Sequence, residues 1–209
     1  MAGVSTNGDL GVIINNDLYM HLPYPLILAS NSPRRKELLA NAGFRFKIVV
    51  KPVDETIPEG FTPVNAAVAI ADRKINLYAD LAKDNIVICA DTIVAFNYTI
   101  LGKAKNADDA LRMLQLINGE THEVITAVAI AYPKGKFSFS VTTEVTLYKL
   151  ETNELKAYIR AYKPFDKAGA YGIQEWFGHA GVRKINGSYT NVVGLPISQL
   201  FHKLKSLSA

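Results

Sequence analysis

The sequence has 209 residues and a net charge of +4, and its length suits one domain or one domain with two lobes. Hydrophobic residues make up 49% and charged residues 20%, which excludes a disordered or collagen-like chain because such chains lack apolar surface to bury. The single cysteine, Cys89, excludes an internal disulfide, and histidines without nearby cysteines do not predict a zinc site. The modest positive charge suits an anionic substrate or weak nucleic-acid contact, but it is too small for a dedicated DNA-binding protein.

The beginning of the sequence differs from the rest. It is rich in glycine, asparagine and aspartate, and no lysine or arginine precedes Arg34, so it lacks the charged start of a signal peptide. We expect residues 1–24 to be an N-terminal extension and residues 25–209 to be one domain. No apolar run approaches the roughly 18 residues of a membrane span, which favours a cytoplasmic protein without a membrane partner.

In the first half of the domain, short apolar runs alternate with helical patterns. The predicted order is a strand over 25–29, a helix over 34–41, a strand over 44–50, a helix over 63–81, a strand over 86–96 and a turn at 97–99. Ser32 and Thr62 are predicted N-caps, because each is followed by a proline that suits the first helical position. Interleaved strands and helices predict an α/β protein.

The second half begins with a helix and then changes to paired strands. The predicted order is a helix over 107–118, strands over 123–132 and 137–150, a helix over 154–162, a glycine-rich segment over 168–181 and a helix over 197–207. The two strands are joined by only four residues, too few for a crossover, so they must be antiparallel. The sheet is therefore predicted to be mixed.

Three cations open the helix that follows Ser32. Arg34, Arg35 and Lys36 lie in its first turn, where the helix dipole disfavours positive charge by roughly 0.3–1 kcal/mol each. Free backbone N–H groups and two guanidinium groups at that position suit a bound phosphate. The alternative is a solvated basic turn that pairs with acids such as Glu37.

Lys74 falls on the apolar side of the helix predicted over 63–81. Plotted at about 100° per residue, it lies among the apolar side chains, whereas Asp72 and Arg73 lie opposite. Either its stem lies along the apolar surface with the ammonium at the rim, or the ammonium enters a cleft at the edge of the core.

Asp91 is predicted to stand at the end of the apolar strand that begins at Ile86. Ligands of α/β proteins gather beyond strand ends, so an acid there is placed to bind a metal or accept a proton. The alternative is a turn or N-cap aspartate, but Ile93 and Val94 continue the strand pattern and no helix begins there.

Further acids and bases occur in predicted loops. Asp54 and Glu55 follow one strand, and Lys103 follows Gly102. Carboxylates for Mg²⁺ and cations for phosphate are the groups that phosphoryl chemistry uses. The segment over 163–174 adds glycines and the primary amide of Gln174, which suits contact with a base edge.

Several of these segments, in this order, resemble the Maf family of nucleoside triphosphate pyrophosphatases from about residue 26 to 204. The matching motifs are SNSPRRKELL, VDET, CADTIV, LGKA, THEVITAVAI, KPFDKAGAYGIQ and KINGSYTNVVGLP. The resemblance implies an inosine-triphosphatase-like α/β fold, with a long mixed sheet and helices that form two lobes around a central cleft. It also implies hydrolysis of a nucleoside triphosphate to the monophosphate and pyrophosphate with a divalent metal, Mg²⁺ or Mn²⁺.

The resemblance also assigns roles to single positions. Asp91 matches the proton acceptor, and Glu55 matches the acid that holds the metal together with it. The polar cleft residues, expected to bind phosphate, are Ser30, Arg35, Lys74 and Lys103. The positions that differ between branches read Arg34, Thr92 and Gln174, the combination of the branch that prefers dTTP and UTP.

One position departs from the family pattern, since Ala104 stands where proline usually follows the glycine-lysine pair; we expect a looser loop around Lys103.

The resemblance implies a nucleotide substrate and no stable nucleic-acid partner, and similar proteins often form homodimers. The competing hypothesis is a division regulator of the septum-inhibition type that senses nucleotide or binds nucleic acid without turnover. A phosphatase that releases orthophosphate would use the same cations.

Overall fold

The structure is a computed structural model that describes residues 21–57 and 59–207. Most of the predicted extension over 1–24 lies outside the described residues, so its boundary with the domain stays a prediction. No helix in the described part is both long enough and apolar enough to cross a membrane.

Within the described residues, seven strands form one mixed sheet. They are β1 (Leu26–Leu28), β2 (Phe46–Ile48), β3 (Ile86–Phe96), β4 (Thr99–Leu101), β5 (Thr121–Tyr132), β6 (Gly135–Leu147) and β7 (Val182–Asn186). Their order is β2-β1-β3-β5-β6-β7, with β4 beside the end of β3. β1 runs parallel to β2 and β3, and the remaining pairs are antiparallel. The predicted α/β class and mixed sheet are confirmed.

Helices cover both faces of this sheet. They are α1 (Pro33–Asn41), α2 (Pro63–Asn76), α3 (Ala107–Ile117), α4 (Thr152–Tyr162), α5 (Trp176–Gly181), α6 (Tyr189–Val193) and α7 (Ile197–Lys205). The apolar side of α2 packs on one face of β3 and β5, while α1 and α7 pack on the other face. The helices α3, α4 and α5 pack with the far ends of β3, β5 and β6.

The predicted helix starts are confirmed, because the cap side chains accept backbone N–H groups. The Ser32 hydroxyl accepts from Arg35 N at 3.4 Å, and the Thr62 hydroxyl accepts from Asn65 N at 3.2 Å. Proline occupies the first turn of both helices, where its missing N–H is not needed. The local signals therefore place α1 and α2 correctly at their beginnings.

The end of α2 was predicted wrongly. The helix ends at Asn76 rather than near residue 81, and a short 3-10 turn follows at Leu81–Lys83. Tyr78 is buried, and its hydroxyl accepts the backbone N–H of Lys51 at 2.7 Å. This tertiary contact outweighs the helical periodicity, which continued past the end of the helix.

The sequence also missed α5, which lies within the glycine-rich segment, and β7 and α6, which lie between that segment and the last helix. Each is only five or six residues long, too short for periodicity to establish. The turn at Asn97 and Tyr98 is a two-residue hairpin with positive φ at both positions, as a primed turn requires.

The centre of the sheet has a gap beside β3. β1 pairs with β3 only as far as Ile88, and β4 begins to pair with it at Val94. In the described residues, β3 residues 89–93 pair with β5 alone. Asp91, predicted at a strand end, therefore lies inside a continuous strand, in the part of β3 that pairs on one side only. Alternation places Asp91 on the α2 face and Thr92 on the α1 face.

Candidate active site

The α2 face of β3 carries a cluster of carboxylates and ammonium groups. Lys74 Nζ on α2 donates to Asp91 Oδ1 at 2.7 Å and lies 2.6 Å from Glu55 Oε1. Lys103 Nζ lies 3.8 Å from the other oxygen of Glu55. The side chains of Lys74 and Asp91 are only 12% and 13% exposed. We call these four residues the carboxylate cluster. Of the two alternatives for Lys74, the structure shows the second, because its ammonium enters a cleft rather than lying at the rim.

Lys74 also controls the ionisation of Glu55. Partial burial raises the pKa of Glu55, but the hydrogen bond and the charge of Lys74 outweigh burial and bring the pKa below its usual value of 4.5. Lys103 and Arg35 add smaller effects in the same direction. Glu55 is therefore ionised at neutral pH.

The α1 face carries a guanidinium that is held by neutral oxygens. Arg35 Nε donates to the Gly194 carbonyl at 2.8 Å, Nη2 donates to Thr92 Oγ1 at 3.0 Å, and Nη1 donates to Ser30 Oγ at 3.4 Å. Gly194 has φ +127°, a conformation that L side chains rarely adopt, which explains glycine there. We call these four residues the arginine network. In the described residues no carboxylate forms an ion pair with Arg35.

Burial is the main influence on the pKa of Arg35, which it lowers, and the charge of Asp91 acts against it. A guanidinium keeps its proton in proteins despite such a shift. The arginine network therefore presents a partly buried positive charge without a direct counter-ion, which is a suitable partner for an anionic ligand.

Arg34 and the glycine-rich segment form the remaining wall. Arg34 Nη1 lies 3.1 Å from Asp166 Oδ2, and Lys167 Nζ contacts both Asp166 at 2.8 Å and Glu175 at 3.0 Å. Glu175 in turn accepts the hydroxyl of Tyr158 at 2.5 Å. These contacts hold the backbone on either side of Gln174. No described residue hydrogen-bonds the amide of Gln174, which is exposed.

A neutral pair lies behind this wall. His122 Nε2 lies 2.7 Å from the hydroxyl of Tyr171, and both side chains are buried. Burial lowers the pKa of His122 to about 4 and raises that of Tyr171. Both groups are therefore uncharged at neutral pH.

The walls enclose two adjacent cavities of about 360 Å³ and 390 Å³. The first is lined by Thr92 and Gln174, and the second by Ser30 and the beginning of α1. Eight of the nine predicted site residues line the first cavity, and the ninth, Ser30, lines the second. Both are bordered by Arg35, Lys74 and Lys103, so the two cavities form one cleft.

Lys103 is held by backbone contacts with the glycine-rich segment. It forms an isolated antiparallel bridge with Ala168, and Gly169 N donates to Leu101 O at 3.1 Å. A Cβ on Gly169 would lie 2.9 Å from Val94, and its φ is +68°. Glycine at this position is what allows the segment to approach β3 and β4 so closely.

Sequence reasoning missed two buried polar residues near Arg35. Thr126 on β5 and Asn191 on α6 are fully buried and hydrogen-bonded. One signal was available for Thr126, because a single hydroxyl in an otherwise apolar strand requires a buried partner. Asn191 lies in a motif that the sequence singled out, but nothing local identifies its contacts.

Asp91 and Glu55 also fit a divalent cation. Each uses one oxygen to contact Lys74 Nζ, which brings the two carboxylates together at one side of the cleft. Mg²⁺ binds through one or two carboxylates together with phosphates and water. In the described residues no three acidic, histidine or cysteine side chains converge, so a phosphate would complete such a site.

Comparison with known proteins relates the chain to named relatives. A dTTP/UTP pyrophosphatase of Phocaeicola vulgatus is 47% identical over 186 residues, which cover 88% of this chain and 96% of that protein. One from Bacillus cereus is 47% identical over 180 residues, covering 86% and 94%. Among solved structures, the Staphylococcus aureus Ham1 protein is similar with a TM-score of 0.40 and 16% identity, over 59% of this chain and 71% of that one.

A family profile described as Maf-like protein matches residues 25–207. The match spans most of the chain, and the alignments with the relatives cover most of both chains at nearly half identity. This chain belongs to the Maf family.

Proposed function

We propose that the protein hydrolyses dTTP and UTP to the nucleoside monophosphate and pyrophosphate. The observation that carries the proposal is the contact of 2.7 Å between Asp91 and Lys74 in a cleft that Arg35 and Lys103 also line. Two carboxylates, Asp91 and Glu55, and three cations face this one cleft, which supports hydrolysis of a polyphosphate. The relatives that bear the name dTTP/UTP pyrophosphatase support the same reaction.

The two cavities suggest how the nucleotide lies. The base and sugar occupy the first cavity, where Gln174 offers a free amide. The β- and γ-phosphates extend toward the second, where Ser30 and the first turn of α1 supply hydroxyl and backbone N–H donors. The α-phosphate then lies where the cavities meet, beside Asp91, Lys74 and Lys103. One charge pair at 4 Å contributes up to about 4 kcal/mol at an effective dielectric of 20, before desolvation.

Asp91 is the proposed proton acceptor. Its Oδ1 is engaged by Lys74, so Oδ2 takes a proton from a water aimed at the α-phosphorus. The water oxygen bonds to that phosphorus, and the bond from the phosphorus to the oxygen bridging to the β-phosphate breaks. Pyrophosphate leaves with the bridging oxygen, so atoms and charge balance.

Glu55 and Asp91 would hold Mg²⁺ or Mn²⁺ together with phosphate oxygens. When bound, such a cation supplies positive charge that neutralises the phosphates. Lys74 holds both carboxylates close together and keeps Glu55 ionised, and Arg35 binds phosphate from the other side of β3. Arg34 and Gln174 are the proposed contacts for base choice, and Thr92 is considered below.

The experiment is an assay of the released product. Purified protein is mixed with UTP, dTTP, CTP or GTP and Mg²⁺, and pyrophosphate and orthophosphate are measured separately. We expect pyrophosphate, released fastest from UTP and dTTP. Orthophosphate alone would support a phosphatase, and binding of nucleotide without any product would support the regulator hypothesis, which no contact in the cleft specifically favours.

A further inference from the structure

A chain of hydroxyl groups connects Arg35 to α6. Thr92 Oγ1 accepts from Arg35 Nη2 and lies 2.9 Å from Thr126 Oγ1. The two threonines are directly opposite each other in the register of β3 and β5, which explains their contact. Thr126 Oγ1 then donates to the backbone carbonyl of Asn191 at 3.0 Å.

The direction of each hydrogen bond in this chain is fixed. A carbonyl oxygen only accepts, so the single hydroxyl proton of Thr126 points to Asn191. Thr126 must therefore accept from Thr92, which uses the only proton that Thr92 has. The oxygen of Thr92 is left to accept from Arg35, and Thr92 has no proton to donate to a base edge.

The far end of the chain is rigidly held. Asn191 Nδ2 donates to the Val124 carbonyl and to Thr143 Oγ1, both at 2.9 Å. Three residues later, Gly194 supplies the carbonyl that accepts from Arg35 Nε. The same short segment thus fixes the guanidinium at two points, directly through Gly194 and through the two threonines.

Arg35 retains donors for a ligand. A guanidinium has five N–H groups, and the contacts with Gly194, Thr92 and Ser30 use three of them. The remaining two, one on each terminal nitrogen, have no acceptor among the described residues. They are available to two phosphate oxygens.

We propose that Thr92 and Thr126 are positioning residues that orient Arg35 toward the substrate's phosphates, and that Thr92 does not contact the base. This inference rests on the proposed function, since it assigns Arg35 to a phosphate-containing substrate. Thr126, which does not itself line the cleft, thereby acts on phosphate binding through Thr92.

The test uses the full chain and the variants Thr126→Val and Thr92→Val, with Thr126→Ser as the conservative variant. KM and kcat for UTP and GTP are measured, together with inhibition by tripolyphosphate, which carries phosphates without a base. The loss of one hydrogen bond corresponds to roughly a 2- to 10-fold weakening. We expect both valine variants to raise the KM for UTP and the inhibition constant of tripolyphosphate by that factor, with the UTP to GTP preference unchanged.

Thr126→Ser restores the hydroxyl and is expected to recover tripolyphosphate inhibition to within about twofold, because the chain of hydrogen bonds is rebuilt. Thr121→Val is the matched control, because Thr121 lies on the same strand and pairs its hydroxyl with Thr146 at 2.9 Å, away from the cleft. Thermal melting of each variant separates misfolding from mispositioning, and Thr92→Val remains informative if Thr126→Val fails to fold.

Unchanged tripolyphosphate inhibition in folded valine variants would overturn the inference. So would a Thr92→Val variant that alters the UTP to GTP preference more than tripolyphosphate inhibition. Absence of pyrophosphate release by the unaltered protein would instead overturn the proposed function, and calorimetric binding of tripolyphosphate would still decide the role of the threonines.

Discussion

Two cations face the same cleft with opposite kinds of partners. Lys74 touches two carboxylates, whereas Arg35 touches only neutral oxygens among the described residues. The charge of Lys74 is already compensated, so its contribution is to hold Asp91 and Glu55 close together and to keep Glu55 ionised. The charge of Arg35 is uncompensated, so it is available to a ligand. The difference separates a region built for chemistry from a region built for binding.

The largest expected effect concerns the carboxylate cluster. Asp91→Asn keeps the shape but removes the proton acceptor, so kcat is expected to fall by roughly 10²–10⁴-fold with nucleotide binding retained. Initial rates of pyrophosphate release measure kcat, and calorimetry measures binding. Asp80→Asn is the control, because Asp80 also contacts a lysine, Lys83, at 3.0 Å but on the surface. Near-normal turnover of Asp91→Asn would remove Asp91 from this role.

Lys74→Met tests whether the paired cation acts through its carboxylates. We expect a fall in kcat of roughly 10²–10³-fold, comparable with the loss of a preorganised donor. Since Lys74 holds the pKa of Glu55 down, its removal raises that pKa, and the loss of activity on the acid side moves to higher pH. A pH profile that keeps its acid limb would contradict this prediction, and Lys83→Met is the surface control.

A stability measurement tests whether His122 is buried in its uncharged form. His122 has its pKa lowered from 6.5 to about 4 by burial, so the unfolded chain binds a proton that the folded chain does not between these values. The contribution of His122 to the free energy of unfolding is therefore fully present above pH 6.5. It decreases toward pH 4, by up to about 3 kcal/mol. Urea unfolding at several pH values in this range measures how steeply the free energy of unfolding changes with pH. This dependence should be shallower in His122→Gln. Equal slopes would show that His122 does not contribute.

The smallest expected effect concerns base choice. Gln174→Ala removes one amide, and the preference for UTP over GTP in kcat/KM is expected to fall by roughly 2- to 10-fold. Lys167 and Glu175 hold the backbone on either side and stay in place, so kcat for UTP should change little. His179→Ala, an exposed change on nearby α5, serves as the control. An unchanged preference would assign base choice to other groups.

The sequence predicted the members of both groups except Gly194, but it did not predict the contacts that join the arginine network. Lys74 on an apolar helix face and Asp91 in an apolar strand are anomalies within one element, so local periodicity exposes them. The contact between Arg35 and Gly194 spans 159 positions, and Gly194 directly follows a helix that is too short to predict. The contact between Thr92 and Thr126 depends on strand register, which no single segment contains.

The α/β class was predictable because short apolar runs typical of strands alternate with helical patterns along the sequence. The beginnings of α1 and α2 were predictable from their N-cap residues. The end of α2 did not, because Tyr78 is fixed by a contact with Lys51 from a different part of the chain. The gap beside β3 was also invisible, because the length over which two strands pair is decided by where β1 and β4 lie in three dimensions.

The gap beside β3 limits how this protein can change in evolution. Only five residues lie between the last pair with β1 and the first pair with β4, and two consecutive ones serve opposite faces. A single inserted residue there would exchange those faces, and two would carry both side chains about 7 Å along the strand. Insertions and deletions should therefore accumulate in the surrounding loops, and family members should keep the spacing across this strand fixed.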